Sequence, residues 1–177
     1  MCNVISTVDV RSNMLRIISI LIISTVFLFC EKDKAQKKVE FVLLKSYQFV
    51  PGKCQVDAST ATLETSPLVT NDDILWYSKK NYEYGLTANA VQKINGLRGR
   101  TAFAVVVDNK IVFLAVYMPL IMSSTCDHSI TMDANTISNT AMTRLGYPSW
   151  LQSSTIIDDQ RNNPFLLEAL SNQGKLR

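Results

Sequence analysis

The sequence predicts an α+β domain: a mostly antiparallel sheet with a central hairpin and two to three helices packed on it. Three observations carry this expectation. Residues 101–117, TAFAVVVDNKIVFLAVY, are two β-rich runs around Asp108-Asn109-Lys110, a short turn at which asparagine tolerates positive φ. Helical spacing of apolar residues is confined to separate stretches, chiefly those after Thr87 and after Asn163. Strands paired in hairpins with a few separate helices make an α+β domain, not a parallel α/β one.

Taken in order, residues 39–50 (VEFVLLKSYQFV) are rich in β-branched and aromatic side chains and are stopped by Pro51-Gly52, so they predict a first strand. Residues 61–63 predict a minor strand. Asn71-Asp72-Asp73 predicts a helical turn running through Ile74, Leu75 and Tyr77, with Asn71 or Asp72 as its cap. Residues 81–86 (NYEYGL) alternate and predict a strand. Thr87 then caps a helix in which Ala88, Val91 and Ile94 recur at helical spacing, and Gly96 ends it. After the hairpin, closed by Pro119, residues 129–133 (SITMD) and 141–145 predict two more strands. Finally Asn163-Pro164 opens a helix with proline at its first position; Phe165, Leu166, Leu167, Ala169 and Leu170 face inward, and Gly174 stops it.

Upstream of the domain, residues 17–29 (IISILIISTVFLF) form an apolar run preceded by Arg16 and followed by Cys30 and the charged string EKDKAQKK. A helix crossing a bilayer needs about 20 apolar residues, so the run suits a signal-peptide core better than a span. Read from Met14, MLRIISILIISTVFLFC has the charged-then-apolar layout of a bacterial lipoprotein signal, and either Met1 or Met14 can be the start. It resembles the lipobox family, in which the cysteine is lipidated and becomes the new N-terminus, although Phe29 and Phe27 stand where a small residue and leucine are usual. Three fates of Cys30 stay open: lipidation, an uncleaved anchor, or a signal cleaved elsewhere. Each exports the remainder. The organisation is therefore a signal peptide over residues 1–29, a lipidated cysteine and charged tether over 30–38, and one exported domain over 39–177, with the tether also resembling the surface-export signal of some Gram-negative lipoproteins.

Without residues 1–29 the chain keeps 16 basic and 14 acidic residues. That balance is wrong for a nucleic-acid partner, which would need a basic stripe. Roughly 150 residues match one domain able to bury its own core.

The string NDDILWYSKKNYEYGLTANAVQKINGLRGRTAFAVVVDNKIVFLAVYMP, residues 71–119, resembles the head of the first periplasmic domain of the SecD translocase subunit. In that family a strand, a helix and a hairpin of the form AIVLDGKVISAPVI follow one another. Here Ala104-Val105-Val106-Val107-Asp108-Asn109-Lys110-Ile111-Val112 is the matching string, and Pro119 stands near the family's proline. This chain carries no bundle of membrane helices, so the resemblance implies only an α+β head that contacts other polypeptides outside the cytoplasm.

Of four cysteines, Cys2 precedes the start or is removed and Cys30 is the lipidation candidate. Cys54 and Cys126 remain in the exported part, where two thiols in an oxidising compartment argue for one disulfide, against two independent buried thiols. Cys126-Asp127-His128 places the chain's single histidine beside a thiol and a carboxylate. A Cys–His pair can make a thiolate nucleophile. On a regular strand, however, Cys126 and His128 share a face that Asp127 does not, and a polar strand-edge histidine is the simpler expectation. A structural zinc needs four ligands and too few candidates exist, so no metal or other cofactor is expected. Asp72-Asp73 and Asp158-Asp159 can do acid–base work, yet each abuts a predicted helix start, where aspartate caps exposed amides. Arg161 offers Asp158 or Asp159 a surface ion pair. Trp76, Tyr77, Tyr82, Tyr84, Tyr147 and Trp150 can stack on sugars or fill a core.

The leading functional expectation is an exported, lipid-anchored, non-enzymatic domain of the bacterial cell envelope, facing the periplasm or cell surface. It would meet the membrane through its lipid and bind another envelope protein through a sheet face or edge, with no small-molecule ligand identified. The alternative is a small periplasmic hydrolase using Cys126 and His128 or the aspartate pairs.

Overall fold

The computed structural model describes residues 36–148, 150 and 157–177. The expected signal segment, Cys30 and most of the charged tether lie outside these residues. The described strands are β1 (Val39–Ser46), β2 (Thr62–Leu63), β3 (Ile74–Ser78), β4 (Glu83–Leu86), β5 (Ala102–Val107), β6 (Lys110–Tyr117), β7 (Cys126–Asn135) and β8 (Thr140–Tyr147). The described helices are α1 (Ala88–Asn95) and α2 (Pro164–Asn172). The strands form one sheet in the order β2-β1-β5-β6-β7-β8-β4-β3, parallel only between β6 and β7. This is the α+β architecture expected, with the hairpin at its centre.

β5, AFAVVV, is buried at every position, which its unbroken apolar run anticipates, because a strand covered on both faces has no polar side. The hairpin turn is tighter than the sequence implies. Asp108 and Asn109 have φ of 49° and 63°, so both occupy the left-handed region and make a two-residue turn whose twist matches the flanking strands. Lys110 already begins β6.

One sheet face is covered by the helices. Phe41, Phe103 and Val105 meet Ala90, Val91 and Ile94 of α1 and Leu166, Ala169 and Leu170 of α2. Thr87 caps α1, its side chain accepting from the Ala90 amide. α2 begins as expected, with Asn163 accepting from the Phe165 amide and proline at the first position. It ends with Gly174 at φ 68° while the Gly174 and Lys175 amides donate to the Ser171 and Leu170 carbonyls. Only glycine takes that backbone without strain.

On the other face Val42, Ala104 and Val106 are covered by irregular chain. Residues 47–61 supply Tyr47, Phe49, Cys54 and Val56, and residues 118–125 supply Met118 and Met122. The first strand is accordingly shorter than the expected 39–50. Past Ser46 the chain leaves the ladder, and Phe49 pairs with Val56 in an isolated bridge.

Residues 71–77 correct a second expectation. A single 3-10 turn, Asn71–Asp73, is followed directly by β3, and the cap is Thr70, which exchanges hydrogen bonds with Asp73. Ile74 and Tyr77 are both fully buried, three residues apart, as on a helix. A bulge produces the same spacing: Ile74 pairs with Leu86 and Trp76 with Gly85, so Leu75 is the extra residue and is exposed.

Candidate functional site

Cys54 and Cys126 are joined in a disulfide, with Cα atoms 5.0 Å apart. The two cysteines follow elements of one layer, β1 and the hairpin, which are registered from Val39↔Val107 to Leu43↔Phe103. The bridge ties the 47–61 cover to the start of β7, and both cysteines are buried in the second core. With its sulfur so bonded, Cys126 holds no thiolate for a Cys–His nucleophile in this state.

The start of β7 departs from regular strand. Its register against β8 jumps from Cys126↔Tyr147 to Ile130↔Leu145, and His128 lies at φ 59°. Two residues are extra on β7, so the simple alternation expected for Cys126, Asp127 and His128 does not apply. Asp127 and His128 instead come together, Nδ1 to Oδ2 at 3.1 Å, without the alignment of a hydrogen bond. The imidazole beside it holds the Asp127 carboxyl below the ordinary range. The two side chains nonetheless face different clefts. Asp127 lines one of about 520 Å³ together with the Pro51-Gly52 turn, Lys53 and Arg100. His128 lines another of about 430 Å³.

The second cleft lies where β6 and β7 part. Their parallel ladder has three rungs, Ala115↔Ile130, Val116↔Thr131 and Tyr117↔Met132. Below it, residues 111–114 of β6 form one wall, His128, Ser129 and Ile130 the other, and Val56 and Ile157 close it with apolar surface. The Ser129 hydroxyl donates to the Cys54 carbonyl, which anchors that wall to the disulfide.

The remaining sequence candidates are accounted for by packing. Asp73 accepts from the Thr70 amide and hydroxyl and from the Thr87 hydroxyl at 2.7 Å, so it serves the turn and the start of α1 together. Asp158-Asp159 does not abut the helix start, because Asn163 caps α2. Asp159 instead clasps Arg161, which is no surface partner: its side chain is 3% exposed and its guanidinium carbon lies 3.6 Å from the Tyr82 ring centre. The aromatic residues do not share a face: Tyr77 and Tyr84 are fully buried, whereas Trp150 is exposed. Burial pushes both phenols up.

No group of three metal-ligating side chains occurs among the described residues. No helix among them is long and apolar enough to cross a membrane. The chain matches no protein-family model, no curated protein and no solved structure. The sequence pointed to Asp127 and His128 but not to the fork, because the β6–β7 pairing joins segments with no local pattern in common. The polar string SSTCDHS leading into an apolar strand was the one available sign of irregular backbone there.

Proposed function

We propose that this chain is an exported, lipid-anchored, non-enzymatic domain that binds a protein or cell-envelope partner outside the bacterial cytoplasm. The observation that carries the reading is the Cys54–Cys126 disulfide, since such bonds persist in oxidising compartments and are rare in the cytosol. It agrees with the apolar leader and Cys30 upstream. The order β4, α1, β5, β6 is also the order on which the resemblance to the SecD periplasmic head rests, and that resemblance favours contact with polypeptides. Against the hydrolase, Cys126 is bonded, Asp73 is engaged by two threonines and Asp159 by Arg161.

Fatty-acid labelling and fractionation of the full chain and of Cys30→Ser test this reading. Label on the wild type, lost in Cys30→Ser together with membrane association, is the expected result. Membrane association without label would replace the lipid by an uncleaved anchor. A cytosolic chain with free Cys54 and Cys126 would overturn the proposal.

A further inference from the structure

We infer that the fork between β6 and β7 is a strand-addition site for an extended, cationic segment of a partner polypeptide. The inference deepens the proposed binding function and rests on it.

The first argument is the backbone. Tyr117 donates to the Thr101 carbonyl, and the register then makes Phe103↔Ala115 and Val105↔Phe113 the hydrogen-bonded pairs of the hairpin. The two-residue turn makes Val107↔Lys110 a further hydrogen-bonded pair, and the bulge that leaves Val112 extra between Ile111 and Phe113 resets the alternation, so the amide and carbonyl of Ile111 turn toward β7. There the ladder to β7 has not begun, its first rung being Ala115↔Ile130. An unpaired strand edge of this kind is what an added strand satisfies.

The second is that the outer edges are already occupied. On β3, Tyr77 donates to the Lys175 carbonyl and accepts from the Arg177 amide, so the chain's own tail lies along that edge. On β1, Phe41 bridges Val69 and Leu44 pairs with Leu63. The open stretch of β6, residues 111–114, is about 13 Å long at roughly 3.3 Å per residue, room for about four residues of an incoming strand.

The third is the character of the walls. Val56, Phe113 and Ile130 present apolar surface to the cleft, and Asp158 is the one formally charged residue lining it. Lys110, the nearby cation on β6, turns toward the Phe165 ring, 5.9 Å from its centre. Apolar walls with the Asp158 carboxylate at the rim suit a strand that alternates apolar and basic side chains.

The test uses the full chain with three capped pentapeptides: KVKVK, EVEVE, and KVKVK methylated on both valine nitrogens. The expected result is saturable binding of KVKVK at low salt that shifts the amide resonances of Ile111, Val112, His128 and Ser129. EVEVE and the methylated peptide should each bind at least about tenfold more weakly, because one reverses the charge and the other removes backbone donors. Asp158→Lys, at an exposed position, should weaken KVKVK and strengthen EVEVE, each by about threefold or more. No saturable binding, equal binding of the methylated peptide, or shifts confined to the β1 or β3 edge would overturn the assignment. An exported chain that fails this test removes the fork alone; a cytosolic chain that passes it removes export alone.

Discussion

Asp159 meets Arg161 at two points, Oδ1 to Nε at 2.8 Å and Oδ2 to Nη2 at 2.7 Å, and thereby holds a buried guanidinium against the Tyr82 ring. The same guanidinium donates to the Thr143 carbonyl of β8, while the Tyr77 hydroxyl donates to the Arg161 carbonyl at 2.8 Å. One residue thus ties the approach to α2 to two strands. Removing the carboxylate leaves a buried cation short of a partner. Asp159→Ala is expected to destabilise the domain by about 2 kcal/mol, below the full cost of a buried pair because Asp159 is partly solvated. Urea unfolding measures it, and Asp158→Ala, whose side chain does not hold Arg161, should change stability by less than about 0.5 kcal/mol.

Stability should depend on pH at both ends. Burial acts to raise the Asp73 carboxyl, but hydrogen bonds from Thr87 and Thr70 outweigh it and hold it below the ordinary range; Arg161 does the same for Asp159. A depressed folded-state value contributes stability above the unfolded value of about 3.9, lost as pH falls through the folded value. The melting temperature is therefore expected to hold between about pH 5 and 7 and to drop below about pH 4, less steeply in Asp73→Asn. Tyr77 and Tyr84 are raised by burial, so stability should fall again above about pH 10 as the unfolded chain ionises.

The disulfide closes a separation of 72 residues. Chain entropy values such a loop at up to about 4 kcal/mol. The double variant Cys54→Ser/Cys126→Ser should lose stability toward that limit and loosen the 47–61 cover before the helical face. Hydrogen exchange followed residue by residue separates the two faces. Equal loss of protection on both would contradict the idea that the bridge acts mainly on the face without helices.

Gly85 is required by Trp76. The indole lies so closely over it, across β3 and β4, that a Cβ at Gly85 would overlap the ring. Gly85→Ala is expected to cost about 1–3 kcal/mol through displacement of the indole. Trp76→Ala should recover part of that loss in the double variant, and a coupling energy near zero in the cycle would argue against the contact. Trp76 fluorescence reports the displacement directly.

Much of the fold was settled by local chemistry. The hairpin, α1 from Thr87 to Gly96, and α2 with its asparagine cap, leading proline and terminal glycine follow from residues a few positions apart, where turn and cap preferences act without help from the rest of the chain. The α+β class followed from their sum, and the disulfide from the counting of cysteines in a chain read as exported. Tertiary structure decided what depends on partners distant in sequence. β3 looked helical because its bulge reproduces a spacing of three between Ile74 and Tyr77. Arg161 looked superficial because Tyr82 and Thr143, which enclose it, are far away in the chain. The cleft beside His128 arises only where β6 and β7 meet in parallel for three rungs and then separate, since strand pairing across such a link is set by the packing of both sheet faces and leaves no periodic mark on either segment.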